Sequence, residues 1–140
     1  MTENYKIIGS FIKDMSSETP DTPTYIFVKD KITKYKLNID ITSKAVKEGI
    51  IEVNTTIRFS DQSEILKKAH FEIIYTSIVR VDEKVSDKKE MEKIILCDVP
   101  NKIYPDLERI FLNLLTDSGY PGIKFEKKVD FNELYKQKAN

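Results

Sequence analysis

Apolar and polar residues alternate along several segments in the first 81 residues of the chain. The segments 35–41 and 51–59 place apolar or β-branched residues at every second position, with polar residues between them. This two-residue period is typical of strands that bury one face. A first strand is predicted over 5–11 and a fourth from about 65 to 81. Short turns between the strands predict an antiparallel sheet.

Turn-forming residues separate these strands. Glu48 and Gly49 lie between the second and third strands, and residues 60–63 lie between the third and fourth. Pro20 and Pro23 interrupt the chain after the first strand, and the short apolar segment 25–28 follows them. We predict that this segment crosses to the second strand in an extended conformation and is not a core strand.

The last third of the chain changes to helical periodicity. Ser86 is the expected cap of a helix through residues 91–95, which Pro100 should end or kink. Pro105 fits the first position of the next helix, and Gly119 suits the left-handed residue that stops it. The apolar stripe of this helix consists of Leu107, Ile110, Phe111, Leu114 and Leu115.

The final helix is predicted to begin at Asp130. Glu133 stands three residues later, as in a capping box, and Val129 and Leu134 occupy the two positions of a hydrophobic staple. Four strands followed by helices predict an α+β fold. The chain has 140 residues, so we expect a single domain over 1–140.

The charge and the apolar runs of the chain mainly exclude some classes of partner and location. Lys plus Arg and Asp plus Glu both number 23, so the net charge is zero. Nucleic-acid binders need an excess of basic residues, and we expect no nucleic-acid partner.

No apolar run approaches the roughly 18 residues that span a bilayer, so we expect no direct membrane insertion. The N-terminus lacks a signal-peptide pattern, and these features with a single Cys97 predict a soluble cytoplasmic protein.

Few residues could carry catalysis or hold a metal. His70 and Cys97 are the only residues of their types, and neither lies in a nucleophile motif. An ordinary strand residue and an unrelated thiol are favoured over a nucleophile and base pair. Two such ligands do not make a metal site, most carboxylates fall on solvated faces, and no glycine-rich loop opens a helix. We therefore expect no enzyme, no cofactor and no metal.

Several aromatic residues fall in or beside predicted loops, where a core position is not required. Each could be a lid on the core, an oligomer contact or part of an apolar binding groove. These residues are Tyr25, Phe27, Tyr120, Phe125 and Tyr135.

Three blocks of sequence resemble the SecB family of export chaperones. The run 11–23 has the family's Lys-Asp pair, Glu and two prolines after the first strand. The run 99–105, Val-Pro-Asn-Lys-Ile-Tyr-Pro, is similar to the family's Cys-Pro-Asn motif, which ends in an aromatic residue and Pro. The runs 120–123 and 129–135 resemble the family's C-terminal segment, and the order of the blocks is preserved.

The resemblance implies a four-stranded antiparallel sheet with C-terminal helices packed on one face. It also implies a homotetramer, arranged as a dimer of dimers. Such a protein holds unfolded preproteins in apolar grooves without ATP and passes them to the SecA translocation motor.

The resemblance also assigns residues. Asp14, Glu18 and Glu72 match family positions that contact SecA. The crossover segment, the loop before the last helix and that helix itself would line the groove. The groove residues are then Tyr25, Ile26, Phe27, Tyr120, Ile123, Phe125, Phe131, Leu134 and Tyr135.

One departure from the family keeps two alternatives open. Typical SecB proteins end in an acidic tail, whereas this neutral chain ends in Lys-Gln-Lys-Ala-Asn over 136–140. A SecB-like chaperone dedicated to one client, such as an antitoxin of a toxin–antitoxin pair, would not need SecA. The other alternative is a small-ligand binding or enzymatic domain on a similar sheet, which requires a closed pocket with convergent polar groups.

Overall fold

The computed structural model describes residues 4–61, 68–125 and 129–139. A 3-10 turn at Ile32–Lys34 precedes the second strand, and a π-helical segment at Ile94–Asp98 joins two helices. The other elements are β1 (Tyr5–Glu18), α1 (Thr22–Lys31), β2 (Lys36–Lys47), β3 (Ile50–Ser60), β4 (His70–Val81), α2 (Lys88–Lys93), α3 (Val99–Asp117) and α4 (Phe131–Ala139).

The four strands form one antiparallel sheet in the order β1-β4-β3-β2. Lys47 pairs with Ile50 across the turn at Glu48 and Gly49, where Gly49 has a φ of 76°. This left-handed conformation suits glycine, which has no Cβ to clash. The prediction of an α+β fold with a four-stranded antiparallel sheet is confirmed.

The inner face of the sheet is apolar along its two central strands. Side chains at alternate positions are buried, as the two-residue period predicted, and α3 packs over them. The buried residues of this face are Val53, Ile57, Phe59, Phe71, Ile73, Tyr75, Val79 and Val81. The helices therefore cover one face only, and the opposite face is the outer face of the sheet.

The apolar stripe of α3 meets an aromatic cluster on the sheet. Leu107, Phe111 and Leu115 have no exposed surface. The ring centroid of Phe111 lies 6.2 Å from that of Phe59, nearly perpendicular to it. Edge-to-face rings attract beyond their buried area, so this contact adds to the apolar packing that holds the helix on the sheet. No helix in the described ranges is long and apolar enough to cross a membrane.

The prediction that residues 25–28 are extended is wrong, because they lie in α1. The Asp21 carboxylate caps this helix by accepting a hydrogen bond from the backbone N–H of Thr24 at 2.8 Å. Pro23 sits in the first turn, where a missing N–H costs nothing. Pro20 interrupts the chain before the helix, and Pro23 helps to start it.

The predicted helix boundaries near the π-helical segment are also wrong. Asp87 caps α2 in place of Ser86. The α-helical pattern changes at Ile94, before Pro100, which lies in the first turn of α3. Pro105 lies inside α3 and does not begin it. An internal proline removes one backbone hydrogen bond, and the buried side chains on either side offset that loss.

Other predicted boundaries agree with the structure. Gly119 has a φ of 100° directly after α3, and the Asp130 carboxylate accepts a hydrogen bond from the backbone N–H of Glu133 at 3.1 Å. The fourth strand begins at His70. Its predicted start near residue 65 falls in the range 62–67, outside the described residues, as does part of the turn at 60–63. The staple of Val129 and Leu134 stays a prediction.

Gly119 offers a test of the packing between α1 and α3. A Cβ at this position would lie 2.7 Å from the Tyr25 ring, in addition to the strained φ. Gly119→Ala is expected to lower the free energy of unfolding by more than about 2 kcal/mol in urea denaturation at fixed protein concentration.

Gly122 is the matched control for this substitution. It has a φ of 81° and nothing within 4 Å of an added Cβ. Gly122→Ala should therefore cost only the backbone strain, about 1 kcal/mol. Equal losses for the two variants would contradict the close approach of Tyr25 to Gly119.

Candidate functional site

A groove of about 890 Å³ opens on the helix-covered side of the sheet, next to strand β2. Its walls come from the turn after α1, the start of β2, the loop after α3 and helix α4. The apolar residues that line it are Ile32, Leu37, Phe59, Pro121, Ile123, Phe125, Val129 and Leu134. Thr33, Lys124 and Asp130 form part of its rim.

Aromatic contacts hold the floor of this groove. The Phe125 ring lies 5.7 Å from Phe59 and 6.2 Å from Phe111, onto which it stacks. The loop that carries Phe125 is thereby anchored to both the sheet and α3. Ile123 and Leu134 on either side are only half-buried, so their apolar surface faces the groove.

A second, shallower depression of about 650 Å³ lies on α1. Ile26 and Phe27 line it, and the side chain of Ile26 is 61% exposed. Lys31 lies on its edge, and the next residue, Ile32, lines the larger groove. The two apolar surfaces therefore adjoin at the end of α1.

Two predicted groove residues are buried in the core, and a third, Tyr25, is half-buried against it. Tyr120 is 2% exposed, with its ring 5.4 Å from Phe71. Phe131 is 1% exposed and packs on Tyr104. The Tyr25 ring packs on Tyr120 and its hydroxyl donates to the carbonyl of Gly119. These side chains support the walls of the groove from behind.

Tyr135 lies away from the groove lining, on the side of α4 that faces α2. Its hydroxyl approaches the carbonyl oxygen of Lys89 at 3.4 Å. Sequence reasoning also missed Leu37 and Phe59, which the structure places in the groove. The two-residue period assigns both only to half-buried strands, and the order of the strands, which places β2 at an edge with β3 beside it, is needed to bring them to the groove.

The outer face of the sheet brings the three predicted SecA-contact acids together. Asp14 pairs with Ile74, Ser16 with Glu72 and Glu18 with His70 in the β1–β4 register. These rows alternate with the buried rows, so the three carboxylates project from the same face. Glu72 also forms an ion pair with Arg58 at 3.0 Å.

The other half of this face is a polar network. Lys13 reaches Glu52 at 3.5 Å, and Asn54 donates to the same carboxylate oxygen at 3.0 Å. These contacts, that of Asn54 first, hold the pKa of Glu52 below its usual value. Thr76 in turn donates to Asn54 at 2.7 Å. Positive and negative groups are thus paired along the sheet.

Strand β1 exposes an unusual amount of apolar surface. Ile8, Phe11, Ile12 and Met15 are each between 42% and 48% exposed. β1 is also an edge strand of the sheet. Phe11 lies on the outer face opposite Thr76, and Ile12 and Met15 lie on the inner face, so apolar side chains flank this edge on both faces. Exposed apolar residues along an edge strand mark a surface for contact with another chain.

Comparison with known proteins identifies the family. The family model described as "Preprotein translocase subunit SecB" matches residues 1–140. The chain belongs to the SecB family. It is 91% identical over its whole length to a Pelagibacter ubique protein named "Putative protein-export protein SecB", whose whole length is also covered. The SecB protein of Rhodospirillum rubrum is 26% identical over 95% of this chain and 81% of its own length.

A solved SecB-like structure has the same fold. The SecB-like chaperone of Mycobacterium tuberculosis, solved in complex with a ChAD peptide from an antitoxin, superposes with a TM-score of 0.67. The match covers 89% of this chain and 91% of the other at 12% identity, which supports the fold alone. The family resemblance inferred from the sequence motifs is confirmed, and SecB proteins are protein-export chaperones.

The two residues considered for nucleophilic chemistry lie on opposite sides of the SecB sheet. His70 is exposed on the outer face, where it pairs with Glu18. Cys97 is buried in the π-helical segment on the helix side and contacts Asn132 and Asn101. Within the described ranges, no group of His, Cys, Asp and Glu could hold a metal ion.

The thiol of Cys97 is therefore expected to react slowly. Burial and the nearby Asp98 carboxylate raise its pKa, which lowers the fraction of thiolate. At pH 8, modification by an aromatic disulfide reagent should be on the order of 100-fold slower in the native protein than in urea. Comparable rates in the two conditions would reopen the nucleophile hypothesis.

Proposed function

We propose that this SecB protein is an ATP-independent holdase that binds unfolded precursor proteins in its apolar groove and delivers them to SecA. The observation that carries the proposal is the groove around Ile123, Phe125 and Leu134. It offers half-buried apolar side chains to solvent beside a rigid aromatic floor. A holdase needs many modest apolar contacts of this kind and no reacting group.

Assembly would multiply the grooves. We propose a homotetramer, a dimer of dimers, in which a second copy covers the apolar surface of β1 around Phe11 and Met15. Several grooves on one assembly raise the effective concentration for the next segment of the same client. Long clients would then be held by many weak contacts. We place this assembly in the cytoplasm, where precursors are still unfolded, and assign it no enzymatic activity, no cofactor and no nucleic-acid partner.

The SecA contact is proposed on the outer face, at Asp14, Glu18 and Glu72. Carboxylates in neighbouring rows suit a basic partner and would speed association and set its orientation. Arg58 and Lys13 neutralise part of this face. The interaction should therefore be weaker, and less sensitive to salt, than one made by a strongly acidic surface, because fewer unpaired charges remain to be screened.

A dedicated antitoxin chaperone is the second candidate. The solved SecB-like chaperone of Mycobacterium tuberculosis carries an antitoxin peptide, and it shares the fold of this chain. The 91% identical relative is instead named for protein export. Export is therefore preferred, and binding to SecA separates the two candidates.

The groove is tested by a double substitution, Ile123→Ser with Leu134→Ser. Each removes apolar surface that a bound client would bury, and the dissociation constant for a reduced, unfolded model protein should rise about tenfold. Fluorescence anisotropy measures the binding, and circular dichroism checks that the fold is kept.

Val46→Ser provides a matched control for these groove variants. Val46 is 55% exposed near the β2–β3 turn and does not line the groove. Its substitution should leave client affinity unchanged. A loss equal to that of the groove variant would mean that clients bind apolar surface anywhere on the protein.

The acidic face is tested by Asp14→Asn with Glu18→Gln. Removing two carboxylates should weaken SecA binding roughly three- to tenfold at low salt and reduce its salt dependence. Surface plasmon resonance at several salt concentrations measures both effects. The control, Asp117→Asn with Glu48→Gln, removes the same charge from exposed positions outside the predicted contact.

Two outcomes would contradict the proposed SecA contact. Equal weakening by both pairs of substitutions would mean that net charge, and not this face, governs the contact. A protein that holds unfolded clients but binds no SecA at any salt concentration would favour the dedicated antitoxin chaperone.

A further inference from the structure

A row of cations crosses the outer face at the end of the sheet opposite the proposed SecA contact. The β1–β4 register places Lys6 directly opposite Arg80. On the other side of Arg80 the row continues through Ile50 to Lys47, which stand opposite each other beside the β2–β3 turn. Ile50 is buried, whereas the three cations are exposed. Lys6, Arg80 and Lys47 are named the basic row.

The basic row is not neutralised as the rest of the outer face is. In the described part of the chain, the ion pairs join Lys13 to Glu52 and Arg58 to Glu72, and no cation of the basic row takes part in one. Like charges directly opposite each other on neighbouring strands destabilise a sheet. The repulsion between Lys6 and Arg80 therefore lowers the stability of the protein, and an anion seated between them would offset it.

The three cations line a cleft of about 820 Å³. Its two ends are the β2–β3 turn and the turn that follows β4. Backbone hydrogen bonds hold both turns. The N–H of Val81 donates to the carbonyl of Gly49 at 2.9 Å, and the N–H of Asp82 donates to the carbonyl of Asn4 at 2.7 Å. The cations are therefore arranged around a recess with a fixed backbone.

Three carboxylates also line this cleft and act against a bound anion. Glu48 and Glu83 are exposed on the turns, where water and salt screen their charges. The Asp82 carboxylate accepts a hydrogen bond from the backbone N–H of Lys84 at 3.0 Å. Attraction by net charge is therefore weak here, and the cleft favours an anion that makes short, charge-assisted hydrogen bonds to the basic row.

We infer that the basic row binds a ligand with two neighbouring phosphate groups, centred on the Arg80 guanidinium. Arg presents a planar fork of N–H donors that matches two oxygens of one phosphate. Lys contributes a compact charge on a flexible four-carbon stem, so Lys6 and Lys47 suit the outer oxygens on either side. The inference goes beyond the proposed holdase function and does not depend on it.

The spacing of the row favours two phosphate groups over one. Neighbouring strands lie about 4.8 Å apart. Lys6 and Arg80 are thus separated by one strand spacing, and Arg80 and Lys47 by two, with the buried Ile50 between them. One phosphate between Lys6 and Arg80 would leave Lys47 without a contact. A second phosphate beside the first extends toward it.

The first measurement is calorimetric titration of the full-length protein with sodium pyrophosphate at low, constant ionic strength. One site per chain is expected, with a dissociation constant below about 1 mM. Arg80→Gln should raise this constant at least about tenfold, because it removes the bidentate contact. The control, Arg109→Gln, removes the same charge from an exposed position on α3 outside the cleft and should bind like the wild type.

Urea denaturation separates a binding role of Arg80 from a structural one. Without phosphate, Arg80→Gln should unfold at the same urea concentration as the wild type or a higher one, because the repulsion with Lys6 is relieved. Saturating pyrophosphate should raise the midpoint of the wild type and not that of the variant. A lower midpoint for the variant without phosphate would show that Arg80 stabilises the fold, and the inference would be wrong.

Co-sedimentation with lipid vesicles distinguishes a lipid headgroup from a soluble ligand. Vesicles of phosphatidylcholine with cardiolipin, which carries two phosphates, are compared with phosphatidylcholine alone. Binding to pyrophosphate assigns a soluble ligand, and binding only to the cardiolipin vesicles assigns a headgroup. Either supports the inference if Arg80→Gln loses it and Arg109→Gln keeps it. No binding to either probe, or equal losses for the two variants, overturns it.

Discussion

The structure depends on a mismatch between one long helix and a four-stranded sheet. A helix is about 10 Å across and strands lie about 4.8 Å apart, so α3 can fully cover about two strands. The burial pattern follows this limit. The inner faces of β3 and β4 are buried, the inner face of β2 is half-buried, and β1 exposes Ile12 and Met15.

The groove, to which we assign the client, and the apolar edge of β1, to which we assign a second copy, both arise from this incomplete cover. On the β2 side, the loop after α3 and helix α4 reach over far enough to form a groove but leave its apolar walls open. On the β1 side, no described element shields Ile12 or Met15, which lie in the same rows as the buried Tyr75 and Ile73. A larger helical layer would bury these rows and stabilise the monomer, but it would leave no apolar surface for a client or for a second copy.

On the outer face of the sheet, positive and negative side chains pair with each other. The neutral composition of the chain is reproduced there as local pairs, with Arg58 beside Glu72 and Lys13 beside Glu52. Each pair is exposed enough for salt and solvent to weaken it, so little stability depends on it. What the pairs change is the field that an approaching partner encounters.

Long-range packing decides which of the predicted residues lie at the groove. Loop position predicts Phe125 and Tyr120, and the family resemblance predicts Ile123 and Phe131. Phe125 and Ile123 line the groove of the structure, whereas Tyr120 and Phe131 are buried in the core. Aromatic residues near loops have no periodicity that separates core from surface. Only the contacts of Tyr120 with Phe71 and of Phe131 with Tyr104 decide their burial.

The sequence by itself determined the elements whose signal is local. The two-residue period of β2 and β3, the stripe of α3 and the stop at Gly119 each depend on neighbours a few residues apart, and the ordered motifs identified the family. Tertiary structure alone decided that α3 continues through Pro105, because packing overrides weak local preferences. The helix over segment 25–28 has local signals in the Asp21 cap and Pro23, which the prediction of an extended segment overlooked. It also decided which strands are edges, since strand order joins residues far apart in the chain. The groove and the free edge of β2 follow from that order.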